Sequence, residues 1–214
     1  LDSNKKEFVK TVLPIIINEN QNILMIRSFV NELKDKLETF RTLNNNEIRK
    51  LNDIAQKYNI KYQNKHKLDL VDEILSNVDV IPNSIVLAQA AIESGWGKSR
   101  FAKEYNALFG EYTYDDSEGV IPLERENGDT HLIKAFSSYS NSVESYFDNI
   151  NSHYAYEDFR DIRNIMRKRN NFSNVNLLVN KLSTYAEDEN YIKTIRQVIK
   201  TNNFGIFDQK TISY

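Results

Sequence analysis

The stretch Ile85-Val86-Leu87-Ala88-Gln89-Ala90-Ala91-Ile92-Glu93-Ser94-Gly95-Trp96-Gly97 decides the fold. It follows Val80-Ile81-Pro82 and a helix start at Asn83-Ser84, and it is apolar on every face. Such a helix belongs inside a protein, because a surface helix keeps one polar side. Gly95 and Gly97 close it, since glycine takes helix-ending backbone conformations without steric cost. Gln89 and Glu93, polar residues within it, are four residues apart and share one face. A carboxyl group at the end of a buried helix meets three influences: burial, the partial negative charge of the helix C-terminus, and the nearby Trp96, which can wall off water. All three favour the protonated form, and a general acid needs that form near neutral pH. A glutamate here could equally pair with an arginine or cap a neighbouring helix, and the residues alone leave both readings open.

On the N-terminal side helical spacing dominates. Apolar residues recur at Phe8, Val12 and Ile15, with Pro14 as an expected kink or break, and again at Ile23, Ile26, Val30, Leu33 and Leu37. Asn44-Asn45-Asn46 can cap a helix from Glu47 to about Tyr58. Another amphipathic helix is expected over Leu68–Val78. These stripes read as core and support.

On the C-terminal side the helical period disappears between Phe109-Gly110 and Phe136. Tyr112-Thr113-Tyr114, Val120-Ile121-Pro122-Leu123 and Thr130-His131-Leu132-Ile133 read as short strands, and Asn127-Gly128 is a strong hairpin-turn signal. Glu111 to Asp129 holds seven acids against one base, Arg125. Such a run is commonly a solvated face, yet glycoside hydrolysis uses a pair of carboxyl groups, and Glu124 or Glu126 could supply the second. Helices return at about Ser140–Ser152, Tyr156–Arg169, Val175–Thr184 and Asn190–Thr201. The basic run Arg160, Arg163, Arg167, Lys168 and Arg169 is expected to be a solvated helix face, with contact to an anionic polymer or lipid surface as the functional alternative.

Composition removes several classes. The 214 residues include no cysteine, so there is no disulfide scaffold and no thiolate nucleophile or metal ligand. Lys plus Arg is 28 and Asp plus Glu is 30, a net charge of −2 that argues against a general nucleic-acid binder. No run of about 18 apolar residues occurs, so no transmembrane segment is expected. No signal peptide is visible at Leu1-Asp2-Ser3-Asn4. Only 3 Pro and 6 Gly favour helices over a turn-rich β fold. His66, His131 and His153 are too scattered for a helical metal pair, and neither a dinucleotide fingerprint, a nucleophile elbow nor a phosphate loop is present.

The ordered set of motifs resembles one family. Leu87 to Gly97, Asn106-Ala107-Leu108-Phe109-Gly110, Leu123-Glu124-Arg125-Glu126-Asn127-Gly128, Ser140-Asn141-Ser142-Val143-Glu144-Ser145-Tyr146 and Tyr185-Ala186-Glu187-Asp188-Glu189-Asn190-Tyr191 are similar to segments of the bacterial glucosaminidases. These form glycoside hydrolase family 73 of the lysozyme-like superfamily. Lys5 to Pro14, and Asn149 to His153 before Phe159-Arg160, resemble its Bax subgroup of Gram-negative bacteria. The resemblance implies peptidoglycan cleavage at the β-1,4 bond after N-acetylglucosamine. It implies Glu93 as catalytic acid, Glu124 as second carboxylate on the hairpin, with Glu126 a rival, and Tyr185 lining the site near the acetamido group. Gln89, Trp96, Asn106, Phe109, Tyr112 and Tyr191 are the candidates for contact with the glycan. Two positions depart from the pattern: Tyr154 stands where the subgroup often has proline, and Glu187 replaces a threonine beside Tyr185.

The expected protein is therefore mainly α: a lysozyme-like helical domain with a small β-hairpin at 81–214, preceded by an N-terminal helical extension at 1–80. Its partner would be the glycan strands of peptidoglycan, with no nucleic acid, metal or cofactor, in the cell envelope and, on the family's account, the periplasm. A lytic transglycosylase or muramidase-type enzyme, and a catalytically silent wall-binding scaffold, are the alternatives.

Overall fold

The computed structural model describes residues 2–122, 131–172, 174–186 and 188–210. Among them are nine α-helices and a small antiparallel sheet. α1 spans Ser3–Glu38 and contains Pro14 without interruption, so the expected break is absent. Pro14 and Lys10, whose carbonyl loses its helical partner to the proline, are both exposed, while Val12 and Ile16 on the other side are fully buried. Packing of the apolar face outweighs the one lost hydrogen bond.

α2 (Asn45–Lys57) begins as read: the Asn44 side chain accepts from the Glu47 backbone N–H, and the Glu47 carboxylate accepts from the Asn44 backbone N–H. α3 (Lys67–Asn77), α4 (Asn83–Glu93), α6 (Tyr139–Ser152), α7 (Glu157–Lys168) and α9 (Tyr191–Thr201) follow the expected spans closely. A short α5 (Arg100–Tyr105) was not apparent in the periodicity, and α8 stops at Val175–Val179. The sheet has the order β1-β3-β2, with β1 at Tyr112–Thr113, β2 at Gly119–Val120 and β3 at Leu132–Lys134, all pairs antiparallel. The Asn127-Gly128 turn lies outside the described residues.

The chain forms two compact units that interleave along the sequence. One comprises Leu1–Glu19, Pro82–Phe147 and Lys193–Tyr214. The other comprises Asn20–Ile81 and Asp148–Ile192. A single cut near residue 80 is thus not how the contacts are partitioned. In the first unit α4 is the centre: every residue from Asn83 to Ala91 is buried, as an all-round apolar helix must be.

In the second unit the basic run is solvated only in part: Lys168 and Arg169 are exposed and Arg167 is half-buried. Arg163 is fully buried and Arg160 is 6% exposed. Arg163 donates to the carbonyls of Asn77, Asp79 and Val80, at 2.7, 2.9 and 3.3 Å. Arg27 donates to the carbonyls of Leu75 and Val78, at 2.7 and 2.6 Å. Arg167 grips the Asp79 carboxylate through two bonds of 2.9 and 2.5 Å. Three guanidinium groups therefore tie the segment after α3 to α1 and α7, with buried Asp79 as their shared counter-charge. α7 still carries charge at helical spacing, but the Arg160 and Arg163 side chains lie inward because backbone carbonyls receive them.

Candidate active site

Glu93 is the last residue of α4 and is half-buried. The turn that follows is unusual. Gly95, Trp96 and Gly97 all have left-handed backbones, with φ of +55°, +59° and +72°. Left-handed residues normally occur singly, and a bulky side chain there costs roughly 1–2 kcal/mol. The surroundings hold it in place. The Trp96 ring meets the edge of Phe8 at 5.7 Å and a tilted Phe204 at 6.1 Å, and Lys5 Nζ sits 4.7 Å from its centre. Ser94 Oγ donates to the Ala90 carbonyl and accepts the Gly97 N–H, which fastens the turn to the helix.

The segment after α5 closes on Glu93. Asn106 caps α5 in a left-handed conformation and donates its amide to the Phe136 carbonyl. The Leu108 N–H donates to Ser142 Oγ on α6. This fixes Gly110, also left-handed at φ +62°, so close to Glu93 that a methyl group on its Cα would stand 3.3 Å from Glu93 Oε2. Sequence reasoning missed Gly110 as a site residue. Its signal was there, a glycine ending the Asn-Ala-Leu-Phe-Gly segment, but what it approaches is decided in three dimensions.

The other candidates divide. Gln89 is fully buried and accepts the Tyr146 hydroxyl at 2.5 Å. Phe109 is 2% exposed and stacks on Tyr146 at 4.3 Å. Both residues thus hold α4 and the 106–110 segment against α6. Asn106 is occupied as a cap, and Trp96 as the peg of the turn. Tyr112 on β1 is 64% exposed and packs on His131 at 4.2 Å, so it alone of the six presents a broad ring surface. Glu124 and Glu126 lie outside the described residues. Tyr185 belongs to the second unit, where it is half-buried between Tyr156, at 6.2 Å, and Tyr191, at 5.9 Å with rings nearly parallel. Tyr191 is 4% exposed and supports Tyr185 from beneath. Among the described residues no group of three or more His, Asp or Glu could hold a metal ion, and no helix is long and apolar enough to cross a membrane.

This helix-end carboxylate, backed by a glycine and set in a helical core with a small sheet beside it, has a family. The model of the glucosaminidases (mannosyl-glycoprotein endo-beta-N-acetylglucosaminidase) matches residues 68–204, and the chain belongs to that family. It is 32% identical over 182 residues to Protein bax of Escherichia coli (strain K12), covering 85% of this chain and 63% of that protein. It is 35% identical over 92 residues to Peptidoglycan hydrolase FlgJ of the same strain, covering 38% of this chain and 29% of that one. The chain thus spans less than two thirds of the length of these curated relatives. The solved catalytic domain of the autolysin Auto (Lmo1076) from Listeria monocytogenes superposes with a TM-score of 0.47 at 19% identity, over 83% of this chain and 96% of that one.

Proposed function

We propose that this protein is a peptidoglycan hydrolase that cuts the β-1,4 bond after N-acetylglucosamine, with Glu93 as the general acid. The observation that carries this reading is the placement of Glu93: a carboxylate at the end of a buried helix, against the Gly110 backbone, in a chain of the glucosaminidase family. A relative named for peptidoglycan hydrolysis supports the substrate class. In this reading Glu93 protonates the glycosidic oxygen. Glu124, or Glu126 as its rival, activates water or stabilises the oxocarbenium-like state and the substrate's acetamido group. Tyr185 is the residue that the family resemblance assigns to the acetamido group, and Tyr112 stacks on a sugar ring. A second carboxylate about 6.5–9.5 Å from Glu93 leaves room for a water between them, and one at about 5 Å suits a nucleophile. The substrate places the protein in the cell envelope, with the periplasm as the proposed compartment.

Purified sacculi digested with the protein and read by mass spectrometry test the activity. N-acetylglucosamine reducing ends are the expected product. Anhydromuramyl ends would make it a transglycosylase, muramic acid reducing ends a muramidase, and no release a wall-binding scaffold.

Gly110→Ala gives a sharper check on the site. The new methyl group meets Glu93 Oε2 at 3.3 Å and stands on a left-handed backbone. Release of fragments is expected to fall about tenfold, with a loss of about 1 kcal/mol in stability. Undiminished turnover would mean that Glu93 does not work from this position.

A further inference from the structure

We propose that the C-terminal 3₁₀ turn Phe204–Lys210 is a positioning element of the active site, in which Asp208 fixes the start of α4 and Phe204 fixes the turn after it, so that Glu93 keeps its place against Gly110. This rests on the reading of Glu93 as the acid.

α4 lacks a cap of its own. Its N-cap is Pro82, which has no side-chain oxygen to accept the first backbone N–H groups. The acceptor comes from 124 residues away: Asp208 Oδ1 takes the Ser84 N–H at 2.8 Å, and Oδ2 takes the Ser84 hydroxyl at 2.6 Å. Next to it the Asn83 amide donates to the Phe207 carbonyl at 2.9 Å. Asp208 is 6% exposed, and its negative charge faces the positive end of the helix dipole. Burial raises its proton affinity above that of an ordinary aspartate, against the two Ser84 bonds that lower it. At the other end of α4, Phe204 is fully buried against Trp96, the strained residue three positions after Glu93. One short turn therefore touches both ends of the helix that carries the acid.

The lever is long. From Ser84 to Glu93 the helix rises about 14 Å, so a tilt of about 4° at its start moves the far end by about 1 Å. Misplacement of a reacting group by about 1 Å can lower a rate about a hundredfold. Asp208 touches neither substrate nor reacting atoms, so it acts through α4 alone.

The test compares Asp208→Ala, Ser84→Ala, Phe204→Leu and Asp208→Asn with the wild-type chain on sacculi, at a temperature well below every Tm. Asp208→Ala is expected to lower kcat about tenfold with KM within about twofold, and Ser84→Ala and Phe204→Leu to lower kcat about threefold. Asp208→Asn is expected to recover most of the loss, since its carbonyl oxygen accepts the Ser84 N–H and its amide donates to Ser84 Oγ. Variants that melt earlier but keep wild-type kcat overturn the proposal, because a turn that only stabilised the fold would behave so. If Asp208→Ala does not fold, Ser84→Ala and Phe204→Leu decide by the same split between kcat and KM. A wild-type chain that releases nothing from sacculi overturns the hydrolase reading and this proposal with it. Variants that match an active wild type overturn this proposal alone.

Discussion

Glu93→Gln is expected to abolish fragment release from sacculi while the Tm stays at the wild-type value or above it. Glutamine has the size and polarity of the carboxyl group but no proton to hand to a leaving oxygen. A positioned acid contributes roughly 10²–10⁴-fold to such a reaction. The fold is expected to tolerate the change, because glutamine keeps the size and the hydrogen-bonding capacity of the carboxyl group at this half-buried helix end. Turnover is read by reducing-end release and integrity by thermal melting. A Glu93→Gln protein that digests sacculi at the wild-type rate would remove Glu93 from the mechanism and leave family membership without a catalytic account.

Asp79→Ala is expected to destabilise the fold by about 3–5 kcal/mol, because it leaves buried guanidinium groups without their counter-charge. Arg27, Arg163 and Arg167 all face this carboxylate, whose side chain has no exposed surface. Burial pushes the Asp79 carboxyl upward, but the hydrogen bonds from Arg167 and the charges of Arg27 and Arg163 outweigh it and hold it below the usual carboxylate range. The folded form thus holds this proton less tightly than the unfolded chain does. The stability Asp79 contributes is fully present above the ordinary aspartate value and is lost as pH falls through the lower folded value. A Tm series taken downward from neutral pH should show that loss in the wild type and a shallower slope in Asp79→Asn. An Asp79→Ala protein with unchanged Tm would show that the arginines are held by the backbone carbonyls alone.

Buried Asp79 also shows why sequence reading stopped where it did. Arg160, Arg163 and Arg167 are spaced for one helix face, and a charged face is ordinarily in water. Nothing local says that the carbonyls of Asn77, Asp79 and Val80 are the partners of Arg163, because they lie 83 to 86 residues back along the chain. The partner of Gln89 and Phe109 is hidden in the same way: the packing of α6 brings Tyr146 against both.

What the sequence determined by itself is the local part. Apolar residues on every face from Ile85 to Ile92 required a buried helix, and Asn44 with Glu47 required a cap. The ordered motifs from Leu87 to Tyr191 pointed to the family and to Glu93. These signals act within a few turns of chain, where periodicity, capping and glycine conformation are settled. Tertiary structure alone decided the rest: that Gly110 backs Glu93, that Trp96 is a peg held by Phe8 and Phe204, that three arginines share Asp79, and that Asp208 caps α4. Each of these joins groups distant along the chain, and such contacts form only when folding brings buried surfaces together and leaves each charge or N–H to find the one acceptor within reach.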